Sequence, residues 1–221
     1  MPTYTPLQSI VLTSNTSSVT FSNIPQTYQD LVLVCSNIVP SGSMDVTMYV
    51  NGDTGTNYSG NAMGGDGGTA RAGKVTNQSK MYVSDWWIAV NGTNPTMFNV
   101  NCINYSNLTT YKTFLSRGTV QGASAAETTA AVSLWRSTAA VTSITIQTSS
   151  GTMGSGATFD LYGVGPAGAQ NASATGGTDI YYDSTYVYHV FKGSGTFTPA
   201  RNLTCDYVVL DRKSTRLNSS H

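Results

Sequence analysis

The chain has 221 residues, eleven Lys and Arg against eleven Asp and Glu, a formal net charge of zero and only 10% charged residues. That charge content is well below the roughly 25% usual for globular proteins. Disorder is nevertheless excluded, since disordered chains are highly charged and poor in aromatic and β-branched residues. No apolar run is long enough to cross a membrane, and the first 18 residues show no pattern of a signal peptide.

Short runs rich in β-branched and aromatic residues recur up to residue 164, with Gly, Asn, Ser and Pro between them. The candidate strands, in chain order, are 9–13, 18–22, 30–38, 44–51, 80–90, 96–105, 111–118, 131–138, 141–148 and 157–164. In the ninth of these, alternation places Ile144 and Ile146 on one face, as in a half-buried strand. The pattern predicts an all-β fold over residues 1–164, an antiparallel β-sandwich that is jelly-roll-like.

Two segments between these strands are predicted to be irregular. Residues 51–79 form the longest stretch without strand pattern, and a loop of that length is usually functional or mobile. Residues 123–131 have local helix propensity, but their position between two strands favours a loop with one helical turn.

The amino-acid composition of the chain changes after Val164. Residues 165–178 are small, Gly- and Ala-rich and unpatterned, which is typical of a linker. Residues 179–210 contain three short strand signals, and residues 183–185 are predicted to form the turn of a hairpin between two Tyr-rich strands. Three short strands are too few for an independent core, so residues 179–210 are interpreted as a truncated small β segment.

The cysteines and histidines do not indicate a metal site. Cys35 and Cys102 lie in strand signals, and buried free thiols are favoured over a disulfide. No CxxC pair is present, and His189 and His221 are far apart in sequence, so we expect no zinc site.

The segment 51–55, NGDTG, places side-chain oxygens close together, as a calcium loop would. An EF-hand loop also needs a bidentate glutamate at its end, and none follows. A turn led by Asn-Gly is therefore favoured over a metal loop, and Asp66 is interpreted in the same way as a turn residue.

The sequence offers few groups for catalysis. Glu127 is the only glutamate and falls in the predicted loop 123–131, while Asp45, Asp85 and Asp160 fall within strand signals. His189 is the one histidine available as a base if His221 is discounted. Because no nucleophile elbow or phosphate-binding loop occurs either, we expect no catalytic residues, no metal and no cofactor.

Aromatic residues suggest a sugar-binding surface instead. Trp86 and Trp87 are adjacent in a strand signal, so their side chains point to opposite faces and one of them faces away from the core. Together with Tyr58, they are the candidate ligand-binding residues, and Tyr82 and Tyr105 could extend the stacking surface. The alternative is that the outward Trp packs under the long loop or against another subunit.

Several runs resemble bacteriophage structural proteins of the tail-fibre or virion-surface kind. These runs are SVTFSNIPQTYQDLVLVCS (18–36), VNGDTGTNYS (50–59), TTYKTFLSRG (109–118) and LWRSTAAVTSITIQTSSGTMGSGATFDLYGV (134–164). The resemblance implies a non-enzymatic virion protein that assembles as a homotrimer with other virion proteins. It also implies contact with a host cell-surface glycan through exposed loops, here residues 53–79.

The C-terminal part resembles the start of a glycine-rich phage domain, through YVYHVFKGSGTFTP (186–199) and LTCDYVVL (203–210). The last eleven residues, DRKSTRLNSSH (211–221), can be encoded codon by codon by a short-read library adapter, so we interpret them as an artefact that replaces the continuation of the gene. Three of the eleven basic residues and one of the eleven acidic residues fall in this segment, which leaves eight against ten. No basic patch then remains to bind nucleic acid.

Two other functions remain open at this stage. One is a bacterial carbohydrate-binding module or adhesin, which would ordinarily need an export signal. The other is a virion-associated polysaccharide depolymerase, which predicts two carboxylates roughly 5–10 Å apart in a groove lined by aromatic residues.

Overall fold

The computed structural model of the protein describes residues 4–84, 89–91, 94–121, 126–166, 174–182, 186–199 and 205–209. The chain forms two compact units, Met1–Asn171 and Ala172–His221. Within the described residues, the regular secondary structure of both units consists of β-strands.

The first unit contains two antiparallel sheets that pack together. The larger sheet has eight strands in the spatial order β1 (Tyr4–Val11), β12 (Thr158–Pro166), β3 (Tyr28–Ile38), β8 (Thr96–Ile103), β9 (Lys112–Gln121), β10 (Ala126–Trp135), β5 (Tyr58–Gly65) and β6 (Ala70–Gln78). The smaller sheet has four strands in the order β2 (Ser18–Phe21), β11 (Ile144–Thr148), β4 (Val46–Val50) and β7 (Met81–Tyr82). The predicted all-β sandwich is confirmed, with eight strands in one layer and four in the other.

Alternation along the strands places one hydrophobic core between the two sheets. In β8, Phe98, Val100 and Cys102 are buried, whereas Met97 and Ile103 are exposed on the opposite face. The smaller sheet contributes Val19, Phe21, Val46, Met48, Val50, Ile144 and Ile146 to the same core. Burying one such side chain stabilises the fold by about 1.5–3 kcal/mol, so this shared interior is what holds the two layers together.

The two cysteines of the sandwich are buried free thiols, as predicted. Cys35 lies in β3 and Cys102 in β8, and burial raises the pKa of both thiols. Cys205, in the second unit, is free and exposed.

The segment 51–79, predicted to be an irregular loop, contains a β-hairpin instead. Strands β5 and β6 pair with each other along the segment, and β5 also pairs with β10 over its full length. The prediction was wrong because these strands are rich in Gly and Ala and show no apolar alternation. Backbone hydrogen bonds join β5 to β10 and β6 to β5, and such pairing leaves no signature in the local sequence.

The turn between β5 and β6 is closed by a single side chain. Asp66 Oδ1 accepts hydrogen bonds from the backbone N–H groups of Gly68 (2.9 Å) and Thr69 (2.7 Å). The interpretation of Asp66 as a turn residue is confirmed.

Two further predictions of secondary structure needed correction. Strand β10 begins at Ala126, so most of the predicted loop 123–131 is strand, because ladders to β9 and β5 override the helix propensity of its alanines. The candidate strand 80–90 is strand only at Met81–Tyr82, and residues 85–88 lie outside the described residues.

The strands nearest the two ends of the first unit are neighbours at one edge of the large sheet. β1 and β12 pair antiparallel from Tyr4↔Val164 to Val11↔Thr158. The place where the chain enters the sandwich is therefore beside the place where it leaves.

The second unit contains two short antiparallel pairs. Strands β14 (Asp179–Tyr182) and β15 (Val187–Val190) form the predicted hairpin, whose turn at 183–185 lies outside the described residues. Strands β13 (Ala174–Thr175) and β16 (Thr198–Pro199) form the other pair. Of the predicted linker 165–178, the first two residues belong to β12 and residues 174–175 to β13; the segment 211–221 lies outside the described residues.

Candidate functional site

The structure does not assemble the predicted aromatic stacking surface from the residues that it describes. Trp86 and Trp87 lie outside the described residues. Tyr58 is fully buried at the start of β5, where its hydroxyl donates to the backbone carbonyl of Asp53 (2.9 Å) and accepts from the N–H of Val50 (3.2 Å). Burial raises the pKa of this phenol. As a core residue, Tyr58 has no ring face to offer to a sugar, which corrects its assignment as a ligand-binding residue.

Tyr105, which could have extended that surface, is also fully buried. Its hydroxyl donates to the carbonyl of Pro25, and burial raises its pKa to about 12. Tyr82, in β7, is half-buried.

The segment 51–57 is a tightly braced turn. Asn51 and Gly52 have φ angles of 54° and 67°, and the N–H of Asp53 donates to the carbonyl of Val50 (2.9 Å). Both central residues are in the left-handed region, which Asn and Gly adopt most readily. The predicted Asn-Gly turn is confirmed.

The carboxylate of Asp53 ties this turn to strand β10. Its Oδ2 accepts from Trp135 Nε1 (2.7 Å) and from Asn57 Nδ2 (2.9 Å), and its Oδ1 accepts from the N–H of Gly55 (2.9 Å). Desolvation acts to raise the pKa of Asp53, but these three hydrogen bonds outweigh it and hold the pKa below its ordinary value. Both oxygens are engaged by neutral donors, which is the arrangement of a structural turn.

An ion pair with a buried carboxylate joins the β5–β6 hairpin to β10. Arg71, on β6, donates from Nη1 to Glu127 Oε1 (3.0 Å), and its Nη2 lies 3.7 Å from Asp66 Oδ2. Glu127 lies within β10 and its side chain is fully buried, whereas the sequence had placed it in a loop. The guanidinium of Arg71 thus contacts both carboxylates.

Gly64 makes this ion pair possible. A Cβ at position 64 would lie 2.9 Å from Glu127 Oε1 and 3.0 Å from the carbonyl oxygen of Thr128. Real side chains do not approach so closely. Gly64 therefore has a packing role, although the sequence of β5 shows no apolar alternation.

A concave surface lies on the face of the large sheet that points away from the smaller sheet, which we call the outer face. A groove of about 540 Å³ and a second of about 370 Å³ follow strands β9, β10, β5 and β6. They share Asn61, Lys74 and Val132, and so form one continuous depression. Its other prominent side chains are Met63, Ala72, Leu115 and Ala130 in the first groove, and Ser59, Thr76, Thr113 and Leu134 in the second.

The grooves are lined mainly by aliphatic side chains, together with amide and hydroxyl groups and one lysine. The described residues that line them include neither a carboxylate nor an aromatic ring. Lys74 brings a positive charge to the floor at β6, and Arg117 is exposed on β9 beside the depression. On the opposite half of the outer face, Asp160 projects from β12 and accepts a hydrogen bond from Ser9 (2.6 Å).

The outer-face grooves were not predicted, although β10 carried a signal for them. Val132 and Leu134 alternate with Ala131 and Trp135, so apolar residues occupy both faces of this strand. A strand of an antiparallel sheet with one solvated face normally alternates apolar with polar residues. An apolar residue at successive positions therefore indicates that the second face is also an interface or a groove.

Other ionisable groups are engaged in structure. Lys112 is fully buried at the start of β9, and its Nζ donates to the carbonyls of Thr110 (2.7 Å) and Thr138 (3.1 Å). Burial lowers the pKa of this lysine. In the second unit, His189 Nδ1 lies 2.6 Å from the carbonyl oxygen of Gly176, so the one candidate histidine base is bound to the backbone.

Comparisons of the chain with protein-family models, with curated proteins and with solved structures gave no match. Among the described residues there is no helix that could span a membrane.

Proposed function

We propose that this chain is a non-enzymatic structural protein of a bacteriophage virion, a tail-fibre or host-recognition component that assembles with further copies of itself and with other virion proteins. The observation that carries the proposal is the resemblance of four sequence runs between residues 18 and 164 to such proteins. In that role the sandwich is a scaffold that presents a sheet face and braced turns to its surroundings.

The placement of the resembling runs supports the proposal. The run 50–59 and the run 134–164 are joined by the hydrogen bond from Trp135 to Asp53 (2.7 Å) and by that from Arg136 Nη2 to the carbonyl of Thr56 (2.5 Å). Two runs that resemble the same kind of protein, and that are distant in sequence, are therefore in direct contact in the fold.

The chemistry of the grooves supports a binding or assembly role over hydrolysis. A glycosidase needs two carboxylates beside its substrate, one of them an acid. The outer-face grooves are lined instead by aliphatic, amide and hydroxyl groups with Lys74. Asp66 and Glu127 both contact Arg71, which pairs with their charges.

The genomic neighbourhood tests the assignment to a virion. We expect the reading frames that flank this gene to encode tail or baseplate proteins, and antibodies against the purified chain to label phage particles from the same source. A flanking glycoside hydrolase locus with unlabelled particles would contradict the proposal and favour the bacterial adhesin.

A second measurement tests the non-enzymatic role. The full chain is incubated with bacterial surface polysaccharides, and both retention on the polysaccharide and release of reducing ends are followed. We expect no release of reducing ends; steady release that persists after repurification would show a depolymerase.

A further inference from the structure

The outer face of the large sheet exposes several large aliphatic side chains. Met63 is 65% exposed, Met97 48%, Ile103 52% and Val132 48%, and these residues lie on the neighbouring strands β5, β8 and β10 around Leu115 of β9. Met97 stands apart, because Asn99 and Arg117 lie between it and the other three. Scattered exposed aliphatics are normal, but Ile103, Leu115, Val132 and Met63 are neighbours across four adjacent strands, and such a set marks an interaction surface. Since the described lining contains no aromatic ring, stacking on a sugar does not account for it.

We propose that this outer face is the surface through which two copies of the chain pair, face to face, about a two-fold axis that runs along strand β9. The inference deepens the proposed function, on which it rests for self-assembly, by naming the face and its symmetry. The resemblance implied a threefold assembly, whereas the arrangement of this face fits a two-fold one.

The order of strands in the sheet makes the face self-complementary in shape. β9 is the fifth strand of eight, so a two-fold axis along it places β8 of one copy over β10 of the other. Ile103 of β8 lies in register with Thr113 and, through it, with Leu134. The exposed Ile103 of one copy therefore comes to lie on the second groove of the other, which Thr113 and Leu134 line.

The same axis makes the face complementary in charge. It places β12, which carries Asp160, over β6 of the other copy, which carries Lys74. Following the register across the sheet, Asp160 is in one row with Ala72, two residues from Lys74. Two residues along a strand are about 7 Å, which a lysine side chain spans.

Sheets packed in this way run with nearly aligned strands, as the layers of a sandwich do, and a two-fold contact uses the same patch on both copies. Two features are unfavourable: the two copies' Arg117 side chains on β9 meet near the axis, and Asn101 of one copy lies over Val132 of the other. Substituting Arg117 therefore separates this two-fold arrangement from non-specific hydrophobic association, which would not depend on that residue.

The first experiment is light scattering with size-exclusion chromatography on the full chain. We expect a dimer at micromolar concentration and a monomer for Val132→Lys, with pairing weakened about tenfold or more, because the substitution places a charge in a dehydrated centre. Leu108→Lys is the matched control, since Leu108 is 68% exposed in the turn after β8, and its dimer should persist. Circular dichroism and thermal unfolding establish that each variant is folded.

The second experiment uses charge. Asp160→Lys and Lys74→Asp should each weaken pairing severalfold, and the double variant should recover much of the loss. Both the single Asp160→Lys and the double variant lose the hydrogen bond from Ser9, so the recovery isolates the contact between copies. Arg117→Ser should strengthen pairing.

A monomer or a trimer of the unsubstituted chain would overturn the proposed pairing, and so would a dimer that the folded Val132→Lys variant leaves unchanged. Failure of the charge exchange to recover the loss, or weaker pairing of Arg117→Ser, would overturn the two-fold arrangement along β9. None of these outcomes bears on whether antibodies label phage particles, so failure of the pairing and failure of the virion assignment are told apart.

Discussion

Asp53 shows how one side chain fixes a turn that the local sequence only suggests. Its carboxylate receives hydrogen bonds from Trp135, Asn57 and the N–H of Gly55, and its pKa lies below the ordinary value of 3.8. Because the folded pKa is lower than that of the unfolded chain, the stabilisation is complete above the unfolded value. It is lost as the pH falls through the folded value.

We expect Asp53→Asn to lower the free energy of unfolding by about 1–2 kcal/mol at neutral pH, because charge-assisted hydrogen bonds are replaced by weaker ones. The difference from the unsubstituted chain should shrink as the pH falls below the folded pKa. Urea unfolding of both proteins across this acid range measures it. A difference that stays constant with pH would contradict the role assigned to the charge.

Gly118 is a second residue whose identity the fold dictates. A Cβ at this position would lie 2.2 Å from the carbonyl oxygen of Met97 and 2.7 Å from Phe98 Cδ1, where β9 meets β8. We expect Gly118→Ala to destabilise the protein by about 1–3 kcal/mol or more, by forcing these two strands apart.

Gly42→Ala is the matched control, since its Cβ would meet no atom within 4 Å. Thermal unfolding of the two variants side by side measures the difference. Equal stability of the two variants would show that β8 and β9 can move apart to accept the extra Cβ without lowering the free energy of unfolding.

At the scale of strands, the sequence predicted well wherever apolar alternation was present. Strands β2, β3, β8 and β11 were located within a few residues, because each buries a row of aliphatic or aromatic side chains. The hairpin β5–β6 was missed, because Gly and Ala provide no such row and its strands are specified by backbone pairing, β5 with β10 and β6 with β5. The depression on the outer face was missed for the same reason, since more than half of its lining comes from that hairpin.

The ion pair between β6 and β10 anchors this hairpin, which gives a test. We expect Arg71→Met to cost about 2–4 kcal/mol, because it leaves the buried carboxylate of Glu127 without its arginine. The double variant Arg71→Met/Glu127→Gln should recover part of the loss. Chemical denaturation of the three proteins supplies the comparison. A double variant less stable than Arg71→Met would contradict the stabilising role assigned to the ion pair.

Strands β3 and β8 each hold a thiol inside the sandwich, and this allows their opening to be followed. In the native chain we expect a thiol reagent to modify Cys205 quickly, and Cys35 and Cys102 only at the rate of unfolding, since both are buried with raised pKa. One reactive thiol per native chain and all three in denaturant is the expected count. Rapid modification of three in the native state would show that the two central strands open readily.

At the scale of the whole molecule, the buried core residues that the structure describes in the sandwich run from Leu12 to Leu161, with Leu7 and Ile10 packed against them. We therefore expect a fragment of residues 1–171 to fold with the melting temperature that the sandwich shows in the full chain. Calorimetry on both proteins measures it. An unfolded or aggregated fragment would show that the sandwich depends on the second unit.

The pairing of β1 with β12 also determines how the sandwich responds to tension. Tyr4 and Val164 are partners at the same end of an antiparallel ladder, whose hydrogen bonds run perpendicular to the strands. A force that pulls these two points apart loads the hydrogen bonds one after another, and the edge strand peels away as a zipper opens. A particle that transmits force to a cell surface would therefore have to route it through other attachment points, and pulling on residues 4 and 164 should unravel the sandwich from β1 at low force.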